Sequence, residues 1–293
     1  MLKSLGEASL HWLAEDLWHL GYPAQALQQI EAALAVARSL SHPFSLCYAL
    51  VFASIVHRFR GEVPQAQAYA EEVKAIATEH EFPHWRQYGE MLPGWALAQP
   101  GRTAEGIPAI RQGLDGQQAI GTEVGRTFFL TFLVDAYEKA GRPDAGLQAL
   151  AEALASAEKR GEGYCEAELY RLKGELSLQS RQIKASQNKS EASRRAGCAR
   201  QNVNISEAGT VGGAHPTGED EAEVCFLKAI EVARRQQAKS WELRAATSLA
   251  RLWQQQGKIA EARELLASVY NWFTEGFDTA DLKDAKSLLN QAS

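Results

Sequence analysis

Two imidazoles flank a carboxylate at His80-Glu81-Phe82-Pro83-His84, a formal H-E-x-x-H. On a single helix that spacing puts both rings on one face to hold zinc, with the glutamate as general base of a hydrolase. Pro83 opposes this, because a proline pushes the preceding residue out of the helical region. The two histidines are therefore expected on either side of a chain bend. The stretch GTVGGAHPTG, residues 209–218, is rich in glycine but lacks the Lys and the helix-opening Ser or Thr of a phosphate loop. Cys47, Cys165, Cys198 and Cys225 lie 118, 33 and 27 residues apart with no C-x-x-C pair, so no zinc cluster or disulfide framework is indicated. Carboxylate pairs such as Glu71 and Glu72 are adjacent and diverge on a helix. These residues predict no catalysis, no cofactor and no metal.

Composition narrows the class. The chain has 293 residues, 45% hydrophobic and 23% charged, with a net charge of −5 that disfavours generic nucleic-acid binding. Its longest apolar run, residues 46–56, is 11 residues, short of the roughly 18 that a membrane span needs. The acids near the N-terminus are unlike a secretory signal, and a cytoplasmic setting is expected.

The elements that must position any site repeat themselves. LGYPAQALQQI, RGEVPQAQAYA, PGRTAEGIPAI and AGRPDAGLQAL carry Gly21, Gly61, Gly101 and Gly141 at intervals of 40, and QGKIAEARELL repeats the phrase at Gly257. EDEAEVCFLKAI supplies a sixth phrase whose turn falls near Thr217. Each glycine suits a left-handed helix cap, and Pro23, Pro64 and Pro143 stand where a second helix begins. Five residues after the turns come Ala26, Ala66, Gly106, Gly146, Ala222 and Ala262. Bulky residues such as Ile30, Ile110 and Phe226 follow four later, then small ones such as Ala33, Gly113 and Ala229, with exceptions such as Ala70 and Val73. Such a ladder lets helices approach closely and interlock. In the first helices Leu10, Leu13 and Leu17, or Leu130, Leu133 and Tyr137, mark an apolar face. Units of this kind cannot bury both surfaces alone, so the prediction is an all-α solenoid of about six antiparallel helix pairs. Asp278 is the expected N-cap of a terminal capping helix over 278–291. The whole of 1–293 reads as one helical-repeat domain.

The small residue after the turn, the bulky one four later and the small one beyond resemble the second-helix signature of tetratricopeptide repeats, here with a period of 40 and not 34. The resemblance implies a right-handed superhelix. Residues 236–289, with EAELYRLKGEL, are similar to the C-terminal repeats of large bacterial signalling proteins that join a nucleotide cyclase or a DNA-binding segment to an ATPase. That likeness implies an adjoining cyclase or ATPase as a partner.

In tetratricopeptide folds the first helices line the concave surface. Carried over by register, the lining is Trp18, Tyr48, Ile55, Arg58, Tyr88, Trp95, Asp135, Glu138, Tyr170, Arg244 and Arg251. Aromatic and Arg side chains on a rigid concave surface suit recognition of a peptide or partner domain. Of the other tryptophans, Trp12, Trp253 and Trp272 are expected in the core. The reading is thus a non-catalytic protein-interaction scaffold, with a small-ligand sensor arm as the alternative.

Residues 180–218 break the period. Within them 181–205 hold six Lys or Arg against one Glu, and 180–216 contain no aromatic residue, which predicts a flexible insertion in the fifth repeat.

Overall fold

The computed structural model describes residues 2–99, 101–199 and 218–291. Among them are thirteen α-helices and no strand: α1 (Leu2–Leu20), α2 (Pro23–Ser39), α3 (Pro43–Arg60), α4 (Val63–Glu79), α5 (Pro83–Ala98), α6 (Thr103–Ala119), α7 (Arg126–Lys139), α8 (Pro143–Arg160), α9 (Glu166–Ala199), α10 (Gly218–Arg235), α11 (Lys239–Gln255), α12 (Ile259–Tyr270) and α13 (Ala280–Gln291). Consecutive helices pack against each other throughout the six pairs. No described helix is long and apolar enough to cross a membrane.

The turns are built as their residues require. Gly21, Gly61, Gly101, Gly141 and Gly257 all have positive φ. At Gly61 the chain closes α3 with bonds from the Gly61 amide to the Arg58 carbonyl and from the Glu62 amide to the His57 carbonyl, the left-handed helix stop. A second set of positive-φ residues joins one pair to the next at Ser41, Glu81, Gly121, Gly161 and Gln237. Glu81, with φ of 51°, is the glutamate of the H-E-x-x-H motif. The bend puts His80 at the end of α4 and His84 in α5, so the two rings do not share a helix face.

The small-large-small ladder of the second helices is buried in all six pairs. Its glycines are close-approach points. A Cβ on Gly106 would stand 2.4 Å from the Gly94 carbonyl oxygen, and one on Gly146 would stand 2.7 Å from Leu176. One apolar cluster runs from α1 into α9 and includes Trp241, a second covers α10 to α13, and Tyr170 touches both.

Three details differ from the sequence reading. α9 continues as helix to Ala199, so the first part of the 180–218 segment extends that helix, while 200–217 lie outside the described residues. Asp278 does not cap α13. The Thr279 carbonyl accepts the first helical bond, from Lys283, and the Asp278 carboxylate instead takes a 2.7 Å bond from Arg60. Leu13 is exposed, although it shares the apolar spacing of Leu10 and Leu17.

The chain also meets itself. The ends of α1 and α3 pack on the start of α11 and on the segment that leads into α13. Ser240 donates a buried 2.5 Å bond to the Trp18 carbonyl, and Arg244 donates to the Phe59 carbonyl at 2.9 Å. Arg60 spans the Pro23 carbonyl and Asp278. The Glu275 carboxylate accepts from the Ala24 and Gln25 amides at 2.9 and 3.0 Å, capping the positive end of α2 from 250 residues away. First and last pairs are thus in contact, and the superhelix is closed.

Candidate ligand-binding site

Closure converts the expected open groove into a filled centre with a mouth at each end. The filling is aromatic. Trp18, only 2% exposed, stacks on Phe59 at 4.0 Å and meets Trp241 edge-on at 4.8 Å. Beside them the Arg58 guanidinium lies 4.1 Å from the Phe132 ring centroid and 5.2 Å from that of Trp95. Its Nε and one Nη have no hydrogen-bond partner, and burial lowers its pKa to about 10, so it stays a cation held by ring faces. Trp95 donates its indole N–H to Asp135 at 2.7 Å, and Gln99 shares that carboxylate at 2.8 Å. Four expected groove residues, Trp18, Arg58, Trp95 and Asp135, are therefore packed into this interior. Arg244 stacks over Trp18 and Trp241 at 4.9 and 5.0 Å and pairs with Asp281 at 2.7 Å.

At the smaller mouth, Arg244 and Arg251 line a polar recess of about 170 Å³ with Arg171, Glu175, Asp281 and Asp284. Its charges are already matched: Arg251 holds Asp284, Arg171 holds Glu168 and Ser248 donates to Glu175. Glu138 and Tyr170 are half-buried and line neither space, and burial raises Glu138 to about 7.

The larger mouth is a cavity of about 850 Å³ with mostly aromatic walls. Tyr48, Ile55 and Tyr88 reach it, as expected from their register. The rest was not anticipated: Trp12, Phe52, Trp85, Phe128 and Phe129 complete the wall, with Glu15, Asp16, His19, His84, Glu162, Tyr164 and Gln236 among the lining. Trp12, expected in the core, is 54% exposed, and Trp272 is 37% exposed. The available signal was the period itself, since Phe128 stands 40 residues after Tyr88, which stands 40 after Tyr48, and Phe52 stands 40 after Trp12. The acids carried no such register.

Electrostatics divides this lining. Burial, reinforced by the neighbouring Asp16 charge, raises Glu15 to about 7. Burial lowers His19 to about 4 and also lowers His84, so both imidazoles are neutral near pH 7. The His19 Nδ1 lies 2.9 Å from the Glu15 carbonyl oxygen, which can only accept, so the proton is on Nδ1 and Nε2 is a lone pair. Nε2 has no partner. No group of three or more potential metal ligands gathers among the described residues.

Residues 8–32 and 243–268 match the tetratricopeptide repeat family. These tetratricopeptide stretches straddle the turns of the first and last pairs, the two that close the superhelix. Among solved structures, the chain is similar to nearly identical TPR-like repeats assigned to a kinesin light chain of Podosopora anserina, at 16% identity and a TM-score of 0.40, over 98% of this chain and 96% of that one. No curated protein matches.

Proposed function

We propose that this chain is a non-catalytic binding module of the tetratricopeptide type, and that recognition takes place in the aromatic cavity and not along a continuous groove. The supporting observation is closure: the bond from Ser240 to the Trp18 carbonyl and the Trp18, Phe59 and Trp241 stack occupy the space that an extended peptide would follow. A cavity of about 850 Å³ falls in the size range of pockets that enclose a compact ligand. This favours the sensor-arm reading, in which occupancy is transmitted to an attached domain, over the scaffold that grips a long segment. The likeness of residues 236–289 to bacterial signalling repeats supports the same reading, with an adjoining cyclase or ATPase as the responding domain.

The test pairs two screens on the full chain and on Ile55→Trp, which pushes an indole into the cavity and narrows it. Compact ligands that raise the melting temperature of the native chain should lose that effect in the variant. Capture of an extended peptide that Ile55→Trp leaves unchanged would overturn the cavity as the recognition site.

A further inference from the structure

The cavity has a chemical polarity that its shape alone does not require. Its acidic lining residues are Glu15, Asp16 and Glu162, and none of the described lining residues is Lys or Arg. None of the three makes an ion pair with a described residue. Two cations stand behind the wall without lining the space: Arg58, 5.6 Å from the Phe128 centroid, and Arg244, which pairs with Asp281 and stacks over Trp18.

The unpartnered atoms have the same sense. Gln236 donates through Nε2 to the Gly163 carbonyl at 2.6 Å, which fixes its Oε1 as an acceptor, and that oxygen has no partner. Glu162 Oε2 and His19 Nε2 are likewise buried acceptors without a donor. One lining donor, the Trp85 indole N–H, is unpaired as well. Buried acceptors are costly when unmet, so these three favour an occupant that brings N–H groups. His19, Glu162 and Gln236 come from α1, the turn before α9 and the turn before α11, whereas Phe52, Trp85 and Phe129 come from α3, α5 and α7. The acids and bare acceptors therefore come from α1 and the turns before α9 and α11, where Trp12 and Tyr164 also stand, whereas α3, α5 and α7 contribute ring faces and edges and no carboxylate.

We propose that the cavity is a receptor site for a compact organic amine in its protonated form, with the ammonium at the Glu162, Gln236 and His19 side and an aromatic-sized apolar body against Phe52, Trp85 and Phe129. An ammonium leaving water loses its solvation, and here two kinds of group replace it. Carboxylates give charge-assisted hydrogen bonds, and the surrounding rings attract a cation through their negative faces. A carboxylate ligand would meet acids and bare acceptors, and a neutral alcohol would bring one donor but no positive charge for the carboxylates.

The proposal rests on the cavity being the recognition site, and calorimetry of the full chain at pH 8 separates the two. The probes are 2-phenylethylamine, protonated at that pH, its neutral counterpart 2-phenylethanol, and phenylacetate. The amine should bind at least tenfold more tightly than the alcohol, and phenylacetate should not bind. Glu162→Gln should weaken the amine at least tenfold while leaving the alcohol unchanged, a readout that mere loss of folding would not give. Arg251→Ala, at the opposite mouth, should leave amine affinity as it is. Equal affinity for amine and alcohol, both lost in Ile55→Trp, would overturn the amine assignment and leave the cavity in place. Tighter binding of phenylacetate, or no binding of the amine, would also overturn the assignment. Amine binding that survives Ile55→Trp would place the ligand elsewhere and overturn both.

Discussion

Glu15 shows how a single side chain ties the cavity to stability. Asp16 adjoins it in α1, Tyr48 faces it from α3, and Tyr164 and Cys165 face it from the segment before α9. Its pKa rises from 4.5 to about 7, first through burial and then through the Asp16 charge. A carboxyl with a raised folded-state pKa keeps a proton that the unfolded chain has released, so stability falls as pH rises from about 4.5 to 7. Glu138 adds to the loss in the same window. His11 and His19, lowered to about 4 by burial, act in the opposite sense, their contribution being lost as pH falls below 6.5. Glu15→Gln removes one of these titrations without removing volume. It should unfold at higher temperature than the native chain at pH 8 and at the same temperature at pH 4, a difference on the order of 2–3 kcal/mol. Parallel melting curves across that range would mean that Glu15 is not held out of water.

At the scale of elements, the turns divide into those that only turn and those that also dock. Gly61 and Gly141 both have positive φ, 79° and 64°, so an alanine at either is strained by roughly 1–2 kcal/mol. Around Gly141 nothing lies within 4 Å of an added Cβ, whereas at Gly61 that atom would stand 2.4 Å from the Cβ of Ala280 in α13. Gly61→Ala should therefore destabilise the chain by about 1–3 kcal/mol more than Gly141→Ala in urea unfolding. Adding Ala280→Gly should bring the two nearly level. If they are equal from the start, α13 does not rest on that turn. The second set of left-handed turns had a partial signal, in Gly121 and Gly161, but Ser41, Glu81 and Gln237 concealed it because their side chains tolerate a conformation that they do not advertise.

Across the whole molecule, closure links the ends of the chain through few groups, and each is a target. Glu275→Ala removes the acceptor of the Ala24 and Gln25 amides. A lost cap of this kind costs about 0.5–2 kcal/mol. Hydrogen exchange at those two amides should accelerate by up to about tenfold, while amides in α7 and α8 keep their native rates. Unchanged exchange at Ala24 and Gln25 would mean that the segment between α12 and α13 does not cap α2.

The residue pattern alone determined the helices, their pairing and the buried ladder, because each depends on neighbours no more than about one repeat apart: a glycine that can turn, a proline that can begin a helix, an alanine where two helices cross. It also placed Tyr48 and Tyr88 on the inner surface. Whether an inner residue meets solvent or protein was decided elsewhere. Trp18 and Arg58 have the register of groove residues, yet Trp241 and Phe132 cover them. Only the tertiary structure brings α1 against α11, because closure depends on small rotations summed over every repeat. No single spacing in the sequence records that sum.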